Sequence, residues 1–496
     1  MLKNIKIQLV FSMFLLLNWS CNTDEGNYNY KAINEIKATG IEENYTVYTG
    51  DKFKITPTLN ATLDNGSDPD RYTYEWMAFN PILGVANPKT VIANTKNLDI
   101  ILKLPPAQYN IYYSVKDKVT GVSWQQKPFV LNVVSAIYEG WLVIGDVDGK
   151  ARLDMVSIIP GVAEPRIIND VLDASGSALK LKGKAVNVYC FKNPVNTPLM
   201  YGIYVTASES GTARIEENSF AWTQSQNIAY ESVGGALPTN FGVDFMKSAD
   251  AGENLIYSKG NIYSYLKIFQ YKYGLPQNKL DTETKTFYAA PFIAENFGSK
   301  GMPVLFDKDL HRFVRYSTTG AVCSAMPSVV GSDTVLDWNN TNSDLIYMVT
   351  SAFNVGENFA VLKNNTSGKY YLLRFSRAVI QTYYKEILNA PDFNKATHFA
   401  VSPDSGYLFY SVGGKVYEYD SGIQSAKLMI DKGTDEITYL NFNANSKTFA
   451  KKLIVGSYGT TGKLELYTVP PVNGDLVLTN SYPGLCKIVD VAYRLR

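Results

Sequence analysis

The sequence predicts an all-β protein in which a small immunoglobulin-like β-sandwich precedes a seven-bladed β-propeller closed by the C-terminal strand. Three observations lead there. Residue usage favours strands, with 35 Tyr, 23 Phe and many Thr and Val, and no long segment repeats apolar residues at helical spacing. Short strand-like runs separated by turn residues fill the first part of the chain. Beyond Ser135 a unit of three successive strands recurs.

The chain opens with Lys3 and Lys6 and the apolar run Leu9 to Leu17, too short to span a bilayer as a stable helix, which is the pattern of a signal peptide. The run ends at Leu17-Asn18-Trp19-Ser20-Cys21, where a small residue precedes a cysteine. This resembles the bacterial lipobox and implies a leader over residues 1–20 with lipidation of Cys21. Asn18 and Trp19 depart from the aliphatic and small residues commoner at their positions. Residues 21–30 then read as a lipidated polar tether. No later apolar stretch approaches the length of a membrane helix, so contact with a membrane is expected only through the lipid anchor.

Length as a soft guide allows two to four domains. Lys and Arg number 47 against 46 Asp and Glu, and a chain so balanced has nothing to release counterions from a polyanion, so no nucleic-acid partner is expected. Apart from Cys21, the cysteines are Cys190, Cys323 and Cys486. An odd, scattered set implies no disulfide framework, and each reads as a small buried apolar residue.

Over residues 31–135 the strand-like runs are Tyr45–Tyr48, Phe53–Leu59, Tyr72–Met77, Leu98–Leu102, Tyr109–Val115 and Phe129–Val134, separated by turn formers such as Asp64-Asn65-Gly66 and Pro105-Pro106. About seven short strands in roughly 110 residues mark a β-sandwich. Gly26 to Ile36 resembles the opening of the PKD-like lipoproteins of Bacteroidetes, and Tyr74-Glu75-Trp76 sits where such domains carry a Trp packed between sheets. Asn22-Thr23-Asp24-Glu25-Gly26 resembles the acidic export tag of surface lipoproteins from the same bacteria, with Asp24 and Glu25 as its acids.

Residues 136–496 hold the repeat, and its clearest copy is Thr397–Ser402, Tyr407–Tyr410 and Lys415–Tyr419, with Ser402-Pro403-Asp404-Ser405-Gly406 and Gly413-Gly414 as turns. That is one propeller blade. Its second and third strands recur as Trp141–Ile144 with Ala151–Ile158, Leu199–Val205 with Thr212–Glu217, Asn254–Tyr257 with Asn261–Ile268, and Val304–Phe306 with Arg312–Tyr316. Phe359–Leu362 with Lys369–Phe375 and Leu453–Val455 with Lys463–Val469 complete seven pairs. The first pair has no innermost strand before it, whereas Cys486–Tyr493 forms one with no blade after it. Joining the two removes an open sheet edge.

Groups with chemistry are sparse. His311 and His398 are the two histidines, far apart, which argues against a zinc site or a catalytic triad. His398 reads as a satisfied imidazole on an inner strand, and His311 as a solvated turn residue. Asp146-Val147-Asp148-Gly149, with Asp154 beyond, offers oxygen ligands but not the spacing of a calcium loop, and an Asp-Gly pair between strands is ordinary hairpin chemistry. No Gly-x-Ser-x-Gly or phosphate loop is present. No catalytic residue, metal ligand or cofactor is therefore assigned. Aromatic residues in loops, Trp222, Trp338, Tyr383 and Tyr384, are candidates for stacking on a sugar ring or peptide, although bulky aromatics more often fill gaps between blades.

A propeller presents loops around one end of a channel, a design suited to binding. The resemblance to PKD-like lipoproteins implies an outer-membrane protein facing the cell exterior. Its expected partners are SusC/SusD-type TonB-dependent transporter components, other surface lipoproteins, and a glycan or peptide ligand. A propeller hydrolase or lyase acting on polysaccharide is the alternative, by analogy of fold.

Overall fold

The structure is a computed structural model that describes residues 33–495, apart from 67, 82–88, 160–161, 193–200, 249–252, 267–270, 296–301, 318–320, 329–335 and 443–445. The predicted leader, Cys21, Asp24 and Glu25 lie outside the described residues. Strands hold 52% of the chain and helices 4%, so the architecture is all-β. Among the described residues no helix is long and apolar enough to cross a membrane. The chain divides into two compact units, with the boundary falling after Val134.

In the first unit Asn44–Tyr48, Phe129–Val134, Ala107–Asp117, Tyr72–Phe79 and Thr90–Ala93 lie side by side in one sheet. Lys52–Ile55 pairs with Leu98–Ile101, and Ile36–Thr39 with Thr58–Ala61. The run Phe53–Leu59 predicted as one strand is two strands in different sheets, because Pro57 cannot donate to a ladder and breaks the pairing. Alternation buries one face of each strand: Phe53, Ile55, Leu59 and Leu98 pack against Trp76, Ile111 and Leu131. Trp76 is fully buried, stacks on Tyr113 at 4.1 Å and donates its indole N–H to the Thr95 carbonyl at 2.9 Å. The ring thus supplies core area while its polar edge stays satisfied.

The second unit contains seven antiparallel sheets among the described residues. The first is Lys487–Arg494, Glu139–Val147, Lys150–Ile158 and Arg166–Ile168. The second is Ala185–Lys192, Tyr201–Ala207 and Gly211–Ile215, the third Phe245–Ser248, Glu253–Ser258 and Asn261–Leu266, and the fourth Val304–Asp307, Arg312–Ser317 and Val322–Ala325. Ser343–Ser351, Glu357–Asn364, Tyr370–Phe375 and Gln381–Glu386 make the fifth. His398–Val401, Leu408–Val412, Lys415–Asp420 and Ser425–Asp431 make the sixth, and Glu436–Phe442, Lys452–Tyr458, Gly462–Thr468 and Val477–Leu485 the seventh. Each predicted strand pair falls on an antiparallel hairpin of one of these sheets. Among the described residues no sheet closes on itself.

The first sheet is assembled from both ends of the unit: Trp141 pairs with Tyr493, Leu142 with Ala492 and Val143 with Val491. Asp146 to Gly149 form the tight hairpin expected of an Asp-Gly pair, with φ of 50° at Asp148 and 74° at Gly149. Asp154 is fully buried and holds the seam together. Its two oxygens accept from the Arg152 guanidinium at 2.7 and 2.8 Å, from the Asp170 N–H at 2.9 Å and from the Cys486 N–H at 2.8 Å.

Strand alternation gives every sheet two apolar faces, and successive sheets share them. Leu142 and Met155 pack with Val188 and Ile203, Tyr204 with Ile256, Leu255 with Leu305, and Phe306 with Leu362. Val361 then packs with Leu408, Phe409 with Leu453, and Ile454 of the seventh sheet with Trp141 and Val143 of the first. Cys190, Cys323 and Cys486 are buried in three different interfaces.

Some interfaces also bury charge. Glu418 lies between the sixth and seventh sheets with 2% of its surface exposed and, among the described residues, no hydrogen-bond partner for either carboxylate oxygen. Burial pushes its carboxyl up to about 7, and Glu253 is raised to about 7 by the same cause. Such groups stay protonated in the fold at pH values where the unfolded chain has ionised. Their stabilisation is complete below about 4.5 and is lost as pH rises through about 7.

Two stability predictions follow from these placements. Asp154→Ala leaves Arg152 unpaired and the Cys486 N–H without an acceptor, and denaturant unfolding of the full chain is expected to show a loss of about 3–5 kcal/mol. On going from pH 5 to pH 8, Glu418→Gln is expected to lose roughly 2–3 kcal/mol less stability than the wild type. Equal losses in thermal melts of the two proteins would refute the burial of an unpartnered carboxyl.

Candidate functional site

The first-named strands of the sheets lie next to one another: Lys487–Arg494 touches Ala185–Lys192 and Glu436–Phe442, Ala185–Lys192 touches Phe245–Ser248, and His398–Val401 touches Ser343–Ser351 and Glu436–Phe442. In the fourth sheet this place is taken by residues 289–294, which bridge Asp307 and Val304 through Ala289 and Ala294. Side chains link the neighbours in turn. Asp490 accepts the Val188 N–H at 3.1 Å, and the Asn187 amide donates to the Val243 carbonyl. Lys247 and Glu295 form an ion pair at 2.6 Å, and the Glu295 N–H donates to the Thr350 hydroxyl at 2.6 Å. Ser351 donates to the Ser402 carbonyl at 3.3 Å, and Tyr439 donates to the Val491 carbonyl at 3.3 Å.

Four of these strands carry a register shift, at Ala185/Asn187, Leu345/Tyr347, Ile437/Tyr439 and Ile144/Gly145 opposite Asp490 and Ile488, and at three of them, all but Leu345/Tyr347, a linking side chain sits beside it. An extra residue in one strand turns the next side chain away from its regular face. At this convergence Phe292, Tyr347 and Phe399 remain half-buried. Tyr347 lies 5.7 Å from Phe292, edge to face, and stacks on Phe399 at 5.4 Å. The polar members are Asp490, Lys247, Glu295 and His398, also half-buried.

Burial pushes the Asp490 carboxyl up to about 7, against the opposing pull of the Val188 and Val491 N–H groups and the Lys247 charge. Burial lowers His398, which favours the neutral imidazole. Its Nδ1 lies 3.1 Å from the Ser411 hydroxyl and 3.0 Å from that of Thr397. Ser411 is fully buried, so this serine–histidine contact presents no nucleophile to solvent. The arrangement offers aromatic surface beside hydrogen-bonding groups, which suits the binding of an organic ligand.

The aromatic residues singled out from sequence do not meet here. Trp338 is 2% exposed, with its ring between Phe313 at 5.3 Å and Phe375 at 5.2 Å, so its faces are already covered by neighbouring side chains. Trp222 packs against the interface of the first and second sheets and donates its indole N–H to Asn227 at 3.0 Å. Tyr383 and Tyr384 are consecutive on an edge strand and point to opposite faces. Tyr383 donates to the Ser421 carbonyl at 3.1 Å and Tyr384 stacks on Tyr371 at 5.2 Å. His311 occupies a turn with φ of 50° and faces Asp344 at 3.2 Å. Sequence reasoning did not single out Asp490, Lys247, Glu295, Tyr347 or Phe399. The available signal was their place on the strand that precedes each recurring hairpin.

Residues 21–182 match the PKD-like family. No curated protein matches the chain. Among solved structures, a quinonprotein alcohol dehydrogenase-like protein from Bacteroides thetaiotaomicron is similar at 12% identity and a TM-score of 0.41, over 93% of this chain and 99% of that one. The extracellular domain of a protein described as a one-component system of the same species is similar at 12% identity and a TM-score of 0.37, over 63% of this chain and 36% of that one. A protein from Lactobacillus plantarum is similar at 13% identity and a TM-score of 0.44, over 72% of this chain and 100% of its own.

Proposed function

We propose that this chain is a surface-exposed outer-membrane lipoprotein, the accessory binding component of a SusC/SusD-type TonB-dependent complex that takes up glycan or peptide. In this reading Cys21 carries the lipid, Asp24 and Glu25 direct export, a PKD-like sandwich follows, and the seven sheets are the blades of a propeller sealed by Lys487–Arg494. The cycle of shared apolar faces, in which the seventh sheet packs on the first, supports the ring. The observation that carries a binding role is the convergence of half-buried aromatic and polar side chains from different sheets at one place. The family match over residues 21–182 supports the PKD-like module.

A polysaccharide hydrolase or lyase is the second reading, and one observation favours it. Asp490 has its carboxyl raised to about 7, near Lys247, whose ammonium is paired with Glu295. Two carboxyl groups in unlike environments are the raw material of acid–base cleavage. Product release from a polysaccharide panel, abolished by Asp490→Asn, would carry that reading.

The uptake role is tested in a Bacteroidetes cell expressing the full chain. A clickable fatty acid is expected to label the wild type and not Cys21→Ser, protease added to intact cells to digest the chain, and pull-down from solubilised outer membrane to recover a TonB-dependent transporter. An unlabelled, protease-resistant chain that recovers no transporter would refute the role.

A further inference from the structure

We propose that the place where the first strands converge is a binding site for an uncharged saccharide, with Phe292, Tyr347 and Phe399 as its stacking surface and Lys247, Glu295 and Asp490 as its hydrogen-bonding side. This rests on the binding reading above and names both the site and the ligand class.

The argument starts from what the convergence does to side chains. A residue between two sheets is normally buried outright, as Phe359, Leu408 and Phe409 are. Phe292, Tyr347 and Phe399 belong to the same interfaces but sit on the strands nearest the convergence, and they keep accessible surface there. They come from three successive sheets and touch one another in sequence, Phe292 to Tyr347 to Phe399. The result is a continuous aromatic arc whose rings also pack on the inter-sheet cores. A saccharide presents flat C–H faces that cover aromatic rings and hydroxyl edges that need hydrogen-bond partners.

Partners lie on the strands that complete the circle. Asp490 comes from the first sheet, Lys247 from the third, and Glu295 from the segment following residues 289–294. The register shifts at Tyr347 and beside Asp490 fall on both kinds of member, aromatic and polar. A bulge costs ladder hydrogen bonds, and such irregularities concentrate where a side chain must be re-aimed.

Charge sets the ligand class. Lys247 is neutralised by Glu295 at 2.6 Å, and nearby Lys487 by Glu436 at 2.7 Å. The raised Asp490 carboxyl and the lowered His398 imidazole both favour their uncharged forms. Hydrogen-bonding capacity is therefore present without an uncompensated cation. A uronate would find no free counter-ion, whereas neutral hydroxyl groups can both donate and accept.

The test is calorimetric titration of the lipidated full chain in detergent with neutral oligosaccharides built on glucose, mannose and xylose, alongside oligogalacturonates and short peptides. At least one neutral saccharide is expected to bind, and Phe399→Leu, which keeps an apolar side chain but removes the ring, to weaken it about ten-fold. Leu275→Ser, at an exposed position away from the convergence, should leave affinity unchanged. Thermal melts identify any variant that fails to fold, and Phe292→Leu then replaces Phe399→Leu. Binding only of galacturonates or peptides, no binding at all, or saccharide affinity that survives both ring removals would overturn the site. Saccharide binding without transporter recovery would leave the site standing and defeat the uptake role. Transporter recovery without saccharide binding would do the reverse.

Discussion

The second unit depends on one pairing, that of Lys487–Arg494 with Glu139–Val147. Glu139 accepts a hydrogen bond from Tyr493, 354 residues away in sequence. The entropy of closing so long a loop grows only logarithmically with its length, so the distance itself adds little. Without the pairing, the first sheet would present Leu142, Val143 and Ile144 on an open edge, and an edge of that kind templates aggregation. The seam is secured on every side: Trp141, Phe449 and Tyr493 pack ring to ring, and Arg494 is buried against the Ile137 and Glu217 carbonyls. Cooperativity follows, because Lys487–Arg494 shares apolar faces with both the seventh and the second sheets.

That same pairing positions the candidate site. Asp490 reaches Val188, and Val491 accepts from Tyr439, only because Lys487–Arg494 lies between the second and seventh sheets. Burial raises the Asp490 carboxyl, so the electrostatics of the site follow from the topology and not from any local motif. The buried ion pairs elsewhere, Arg312 with Asp307 and Arg374 with Glu357, tie strands within a sheet. They fix orientation more than they add stability, since desolvation offsets most of the attraction.

The hairpins were legible in the sequence because each carries two dense apolar strands bounded by turn residues, as in Leu408–Val412 and Lys415–Asp420 around Gly413-Gly414. The strand that precedes each hairpin was mostly not legible. It is short, as at Phe245–Ser248, interrupted by a bulge, as at Leu345/Tyr347, or reduced to isolated bridges, as at 289–294. Tyr347, Lys247 and Glu295 lie on or beside such stretches and had no periodic signal to announce them, whereas Phe399 and Asp490 sit on the two preceding strands that were legible, Thr397–Ser402 and Cys486–Tyr493. The stacking candidates were chosen for lying in loops, and Trp338 shows the weakness of that criterion. A loop folds back when a large ring can bury itself, and Trp338 does so between Phe313 and Phe375. Pro57, by contrast, was a visible strand breaker in a run treated as continuous.

Hydrogen–deuterium exchange on the intact chain tests the central claim most directly. Amides of residues 487–494 are expected to exchange as slowly as those of 139–147 and to open together with them. Rapid exchange of 487–494 while 139–147 stays protected would show that the C-terminal strand is an ornament, and the account of the second unit would fall with it.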